Sequence, residues 1–381
     1  MNPSVVILGS GLAGISVARE LRKLDKEVPL SIVTADDGGF YSKPSLSNAL
    51  AAGKTAAQLV LTPREALAAQ LKVEIRARTR VIRLLPNEHA IETDSGRIEY
   101  RRLVLALGAQ PIRLPIAGSG AAEILSVNSL GDYAAFRSRL AGANQVAILG
   151  GGLIGCELAN DLRLAGLAVN VFDLAPQALG RLLPAQAAEF FRARLDAAGV
   201  RFHFNTGIDR VDRTRDGMVL TDTQGKEFSA DLVLSAVGLR PETELARVAG
   251  LKVNRGVVAD MLLASSDSDV FAVGDCAEVQ GLVLPFILPI MQQARALAKT
   301  LAGTPTAVSY PAMPVVVKTP ACPAVVCPPP AGVAGAWREE ADPGGVRALF
   351  QDAASKPLGF SLVGEAVKDK QALAAQMPVT L

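Results

Sequence analysis

The stretch VAILGGGLIGCELANDL, residues 146–162, reads as an apolar strand, a glycine-rich turn and the start of a helix. It decides the fold because the chain has already written it once, as VVILGSGLAGISVAREL at residues 5–21. A lone GxGxxG says little, since tight turns need glycine whatever they bind. Two copies, each between a buried-strand run and an amphipathic helix, fit two doubly wound α/β units. Gly9 permits the tight turn, Gly11 lets backbone approach a pyrophosphate, and Gly14 lets the helix pack on the strand. Gly150, Gly152 and Gly155 repeat the three roles. Free N–H groups at the helix starts, around Leu12 and Ala13 and around Leu153 and Ile154, then face the negative charge.

Such a site needs a carboxylate about 20 residues further on to hold ribose hydroxyls. Asp36, with Asp37 beside it, ends LSIVTAD in the first copy; Asp173 ends VNVFD, 18 positions past Gly155, in the second. A carboxylate there accepts the 2′-OH of NAD and repels the 2′-phosphate of NADP. Leu174-Ala175-Pro176 follows and brings no arginine, so the second site is read as one for NADH. For either copy alone, a strand–helix turn that binds nothing stays open. Two dinucleotides in one chain make sense as a tightly held FAD and a visiting NADH, since a nicotinamide gives hydride and a flavin accepts it.

Composition bounds the alternatives. The 381 residues suit two or three domains, and a net charge of +2 gives no global field toward nucleic acid or an acidic membrane. The most apolar stretch, LVLPFILPIM at 282–291, is too short to span a bilayer and carries two prolines. No basic segment precedes an apolar run at the N-terminus, so no secretory signal is expected and a soluble cytoplasmic protein is. Four cysteines do not make a disulfide framework, and the two histidines, His89 and His203, make metal or histidine acid–base chemistry a poor expectation. His203, in VRFHFN, reads as a half-exposed strand residue.

The second unit sits inside the first. LVLALG (103–108) and LVLSAVG (232–238) bracket it like matching exits, with hinges expected near 109–114 and 236–241. The expected division is a first FAD-binding part over 1–110, an NAD-binding domain over 111–235, a second FAD-binding part over 236–304 and a smaller C-terminal α+β domain over 305–381. EIRARTRVIRLLP and HAIETDSGRIEYR read as antiparallel strands. The last segment reads as strands near MPVVVKT, VRALFQD and PLGFSLVG, then a helix at AVKDKQALAAQM.

The order GSGLAG, YSKPSLS, LVLALG, GGGLIGCE, SAVGLRPETEL and VFAVGDCAE resembles the two-dinucleotide-binding flavoprotein reductases over residues 1–300. Within that family, TADDGGFYSKPSLS, GLRPETELARVAGL, GDCAEVQGLVLPF and MPVVVKTPACP are most similar to the NADH–rubredoxin reductases. The reductases of bacterial flavorubredoxin are the nearest rival. The resemblance implies that Asp275 hydrogen-bonds a ribityl hydroxyl of FAD, with Gly274 allowing close approach. It implies Asp36 on the adenosine ribose, Arg80 and Val81 by the adenine, and Lys43 approaching the isoalloxazine. Glu157 lies beside the nicotinamide, paired with Lys43 or serving as a first-turn acid on the helix dipole. Lys318 lies by the flavin ring or is a solvated strand-end lysine. The turns ending at Gly108 and Gly238 depart from the family's ATG, reading Ala-Leu-Gly and Ala-Val-Gly, which removes a threonine but leaves the backbone turn possible.

Many relatives pass electrons to a CxxxxC disulfide shortly after the first glycine turn. FYSKPSLSNAL, the corresponding stretch here, has no cysteine. Cys322 and Cys327 have the spacing but lie in a proline-rich segment that cannot be a regular helix, so it is read as incidental. Cys156 and Cys276 read as small packing residues. Without a disulfide, the resemblance implies transfer from FAD to a small iron carrier such as rubredoxin, with a flavorubredoxin, a ferredoxin or a non-enzymatic redox-sensing role as alternatives. A basic docking rim would suit an acidic carrier, but residues 305–381 balance six Lys/Arg against six Asp/Glu.

Overall fold

Val5–Leu8 lies at the centre of a parallel sheet, and all four of its residues are buried, as an unbroken apolar run requires when both faces are covered. The computed structural model describes residues 4–381. Strand order in this five-stranded sheet is Val270–Ala272, Arg102–Leu105, Val5–Leu8, Leu30–Val33, Glu74–Arg76. Val270–Ala272 returns from beyond the insert to pair with Arg102–Leu105, so one sheet is built from two separated stretches of chain. The inserted unit has its own four-stranded parallel sheet, ordered Val200–His203, Ala168–Phe172, Gln145–Leu149, Leu232–Ser235. In both sheets a central strand leads through its glycine turn into a helix: Leu12–Leu24 in the first and Leu153–Leu164 in the second.

The two crossings between these units run side by side. Ala109–Pro111 pairs antiparallel with Leu239–Pro241, a two-stranded ribbon within the hinge ranges read from the sequence. Each unit also carries a three-stranded antiparallel meander, Val81–Glu99 in one and Ile208–Ala230 in the other. Glu74–Arg76 differs from expectation: it pairs parallel with Leu30–Val33 at the edge of the main sheet. Its alternation of exposed charge around Ile75 is that of an edge strand, which imitates an antiparallel pattern.

The C-terminal sheet is antiparallel, ordered Val315–Val317, Ala324–Cys327, Pro357–Gly364, Gly345–Gln351, Ala336–Asp342. Two of these strands were not read from the sequence. Ala324–Cys327 is framed by Pro323 and Pro328, which bound the strand and remove no ladder donor within it. Ala336–Asp342 is a charged edge strand with no buried face to give it a period. This sheet grips the helix Ala185–Ala197 of the inserted unit: the Glu339 carboxylate accepts from Ala187 N at 2.9 Å, and Arg194 donates to Pro343 O at 2.7 Å. An acceptor from a distant domain thus serves a helix N-terminus whose preceding residue, Pro184, offers no side-chain cap.

All four cysteines are free and buried. Cys322 packs with Val317, Ala324 and Val326, while Cys327 packs with Phe360, Leu362 and Leu373 in a separate apolar cluster, so the CxxxxC spacing joins no redox pair. Among the described residues no helix is long and apolar enough to cross a membrane.

Candidate active site

The two glycine turns match in backbone geometry as well as in sequence. Gly9 and Gly150 have φ of +112° and +106°, a region L side chains avoid. A Cβ at Gly14 would stand 2.1 Å from Gly9 O, and one at Gly155 would stand 1.9 Å from Gly150 O. Neither helix could then approach its strand. A Cβ at Gly11 or Gly152 would instead meet nothing within 4 Å. These positions face open space, where a pyrophosphate can come against bare backbone. Each is the N-cap of its helix with no side-chain cap and no acid in the first turn, so the N–H groups at Leu12, Ala13, Leu153 and Ile154 lack any rival to an anion. The residues fit dinucleotides at both places. The threonine-free turns hold: Ala106 O and Ala236 O close on Gly9 and Gly150, and Gly108 and Gly238 keep positive φ before the ribbon.

The acids follow different geometries. The strand Leu30–Val33 stops three residues before Asp36, whose Oδ1 accepts from Ser10 Oγ at 2.9 Å, Thr34 Oγ1 at 2.7 Å and Gly38 N at 3.1 Å. Arg78 N donates to Asp36 O and Thr79 N to Thr34 O, which brings the chain at Arg80 and Val81 alongside. Asp173 directly follows its strand and accepts from Gly151 N at 2.5 Å and Ala175 N at 2.7 Å. His203, as expected, is a partly buried strand residue; it stacks on Phe172 at 4.6 Å and lies 3.0 Å from Asn170 Oδ1.

Between the two glycine turns in sequence lies a short 3-10 segment, Lys43–Asn48, that contains no cysteine. Burial lowers the Lys43 ammonium below its ordinary value, and the charges of Asp275, Asp132 and Asp36 oppose that shift. Burial likewise raises Asp275, against the pull of Lys43. Asp275 sits in a turn that lies against the helix Leu12–Leu24, where a Cβ at Gly274 would meet Ala13 Cβ at 2.7 Å. Lys43 Nζ donates to Asn128 Oδ1 at 3.2 Å, and Asn128 Nδ2 donates to Ala109 O in the hinge ribbon at 2.9 Å.

Glu157 is 2% exposed and belongs to the second turn of its helix, so it is no first-turn acid. Its partner is Lys318 rather than Lys43. Oε2 accepts from Lys318 Nζ at 2.8 Å and from Ser47 Oγ at 2.5 Å; Oε1 accepts from Lys318 N at 2.8 Å. Lys318 Nζ also donates to Pro44 O at 2.6 Å and Asn48 Oδ1 at 2.7 Å. A buried carboxylate is tolerable when its charge is paired and its lone pairs are used, and here both conditions hold. The knot joins three regions far apart in sequence. Ser47, Asn48 and Asn128 were missed as site residues because nothing local marks them. Gln293 was missed as well: it accepts from Gly274 N at 2.7 Å and donates to Tyr310 OH at 2.8 Å, fixing the turn that holds Asp275.

A family model for the pyridine nucleotide-disulphide oxidoreductases matches residues 3–300, and one for a rubredoxin binding C-terminal domain matches residues 307–377. The chain belongs to the pyridine nucleotide-disulphide oxidoreductase family. It is similar to a rubredoxin-NAD(+) reductase of Alcanivorax borkumensis, 46% identical over 382 residues and covering 100% of both chains. A nitric oxide reductase FlRd-NAD(+) reductase of Aeromonas hydrophila is 38% identical, with 98% of this chain and 96% of that one covered. Among solved structures, a ferredoxin reductase from Rhodopseudomonas palustris matches with a TM-score of 0.89 at 26% identity, covering 100% of this chain and 96% of that one.

Proposed function

We propose that the protein is a rubredoxin–NAD+ reductase: a flavoprotein that takes electrons from NADH onto FAD and passes them to rubredoxin without a redox disulfide. The observation that carries this is the Glu157–Lys318–Ser47 knot. It fastens the helix of one dinucleotide cradle to the flavin-side segment and to the C-terminal domain, whose sequence matches a rubredoxin binding domain. FAD, when bound, supplies a hydride acceptor that can release electrons singly.

The chain's own work is binding and alignment. Gly9, Gly11, Leu12, Ala13 and Gly14 receive the FAD pyrophosphate on backbone N–H groups, with Asp36, Arg80 and Val81 at its adenosine end. Asp275 and Gly274 take the ribityl chain, and Lys43 brings positive charge to the flavin ring, held by Asn128. Gly150, Gly152, Leu153, Ile154 and Gly155 receive NADH, and Asp173 selects it over NADPH. Glu157 and Lys318 close the space where the two rings meet. FAD is held tightly, the division into parts follows the boundaries given above, and the reaction runs in the cytoplasm.

NADH should bleach the bound flavin anaerobically, and oxidised rubredoxin should restore its colour; a flavin left coloured by both NADH and NADPH would refute the reading. A second reading, reductase of a flavorubredoxin, draws on the 38% identity to the Aeromonas protein. Turnover on purified rubredoxin, flavorubredoxin and ferredoxin separates the two.

A further inference from the structure

The helix Leu153–Leu164 carries three buried polar side chains, Glu157, Asn160 and Asp161, exposed by 2%, 2% and 4%. Their spacing of three and four puts them on one face. A helix that packs by apolar contact alone would not bury such a stripe. Every one of the three accepts a backbone N–H from another part of the molecule. Glu157 takes Lys318 N and Asn160 Oδ1 takes Ala321 N at 3.0 Å, both from the C-terminal domain. Asp161 faces the flavin side: its Oδ2 accepts from Leu50 N at 2.9 Å and its Oδ1 from Ala51 N at 3.1 Å. Two consecutive amides converging on the two oxygens of one carboxylate fix both distance and direction, as a single bond does not.

The amides of Leu50 and Ala51 close the segment that begins at Lys43. Asp161 is one turn beyond Glu157, on the helix that begins at the Gly150–Gly155 turn. We propose that Asp161 is a positioning residue: by gripping Leu50 and Ala51 it sets the separation between the nicotinamide-binding turn and the lysine-bearing flavin segment. It touches neither cofactor and takes no proton. The proposal rests on the reductase reading, because it is hydride transfer that depends on ring separation. Burial raises the carboxyl of Asp161, and the two N–H groups and Lys318 offset part of that rise.

Asp161→Asn tests this. An amide side chain keeps one acceptor but turns an NH2 toward the other backbone donor, leaving one grip unmade. In the holoenzyme, the limiting rate of flavin reduction by NADH should fall tenfold or more, while the NADH dissociation constant changes less than threefold. In the apoprotein and holoprotein alike, the Leu50 and Ala51 amides should exchange with deuterium faster, with the rest of the helix unchanged. A wild-type reduction rate despite faster exchange overturns the proposal, and so does unchanged exchange. If the variant purifies without flavin, Asp161→Ser, which keeps one short acceptor, is read by the same two measurements. Failure of NADH to bleach the unsubstituted protein would remove the reductase reading itself, an outcome the variant cannot mimic.

Discussion

The two glycine turns share a backbone and differ in how each secures its acid. On the first, the residue between the glycines is Ser10, and its hydroxyl reaches Asp36. On the second it is Gly151, whose backbone N–H reaches Asp173, and a Cβ there would stand 3.2 Å from Asp173 Oδ2. One turn spends a side chain to hold a carboxylate that lies three residues past its strand; the other draws the carboxylate straight onto the main chain. The first suits a cofactor that stays, since Thr34 and Gly38 also hold Asp36 in place. The second leaves a compact carboxylate, held by the Gly151 and Ala175 amides, and on the proposed function its charge would choose the nicotinamide dinucleotide.

The largest test of that contrast is Gly14→Ala against Gly155→Ala. Each drives a Cβ into a carbonyl oxygen at about 2 Å, and overpacking of this kind costs about 3 kcal/mol, roughly a hundredfold. Gly14→Ala should purify mostly without flavin. Gly155→Ala should keep its flavin and lose bleaching by NADH; loss of flavin from both would break the assignment of the cradles. Next comes Asp173→Ala, which removes charge-assisted contacts worth about 1.5–3 kcal/mol. Its kcat/KM for NADH should drop about tenfold or more while that for NADPH rises, and Asp36→Asn should leave the NADH/NADPH ratio alone. Equal use of both dinucleotides by the unsubstituted enzyme would refute the role given to Asp173.

A pH profile sharpens the flavin side. Burial depresses Lys43, so its charge is lost at a lower pH than that of an ordinary lysine. The rate of flavin reduction should therefore decline on an alkaline limb below the usual lysine range, and Lys43→Met should abolish that limb. The smallest effect belongs to Ser10→Ala, which gives up one partly buried hydrogen bond of about 1 kcal/mol and should weaken FAD retention about fivefold, measured by equilibrium dialysis.

What the sequence showed was what short-range physics writes. The two strand–turn–helix units are legible because glycine spacing and buried-strand runs are local signals. The strand Glu74–Arg76 reads as antiparallel from sequence and is parallel in the structure, because an edge strand alternates like an antiparallel one. Ala336–Asp342 was invisible because it buries no face. The knot around Glu157 was misread for another reason. Its donors lie 110 and 161 positions away, and either Lys43 or Lys318 satisfies the same rule of opposite charge. Only packing decides between two lysines. Asn128 shows the middle case: Ser129 accepts from Asp132 N as a helix cap, and Asp132 accepts from Asn128 N. That local cap announces a helix start, but nothing in it announces Lys43.

The ribbon formed by Ala109–Pro111 and Leu239–Pro241 gives the inserted unit a single doorway, because its way in and its way out are neighbouring strands. A homologous unit exchanged at that doorway would connect without stretching either end. The graft would function only if its helix arrived with acceptors matching the amides of Leu50, Ala51 and Ala321. Compatibility between recipient and donor is thus written on two side chains, Asn160 and Asp161, and can be screened before any cloning.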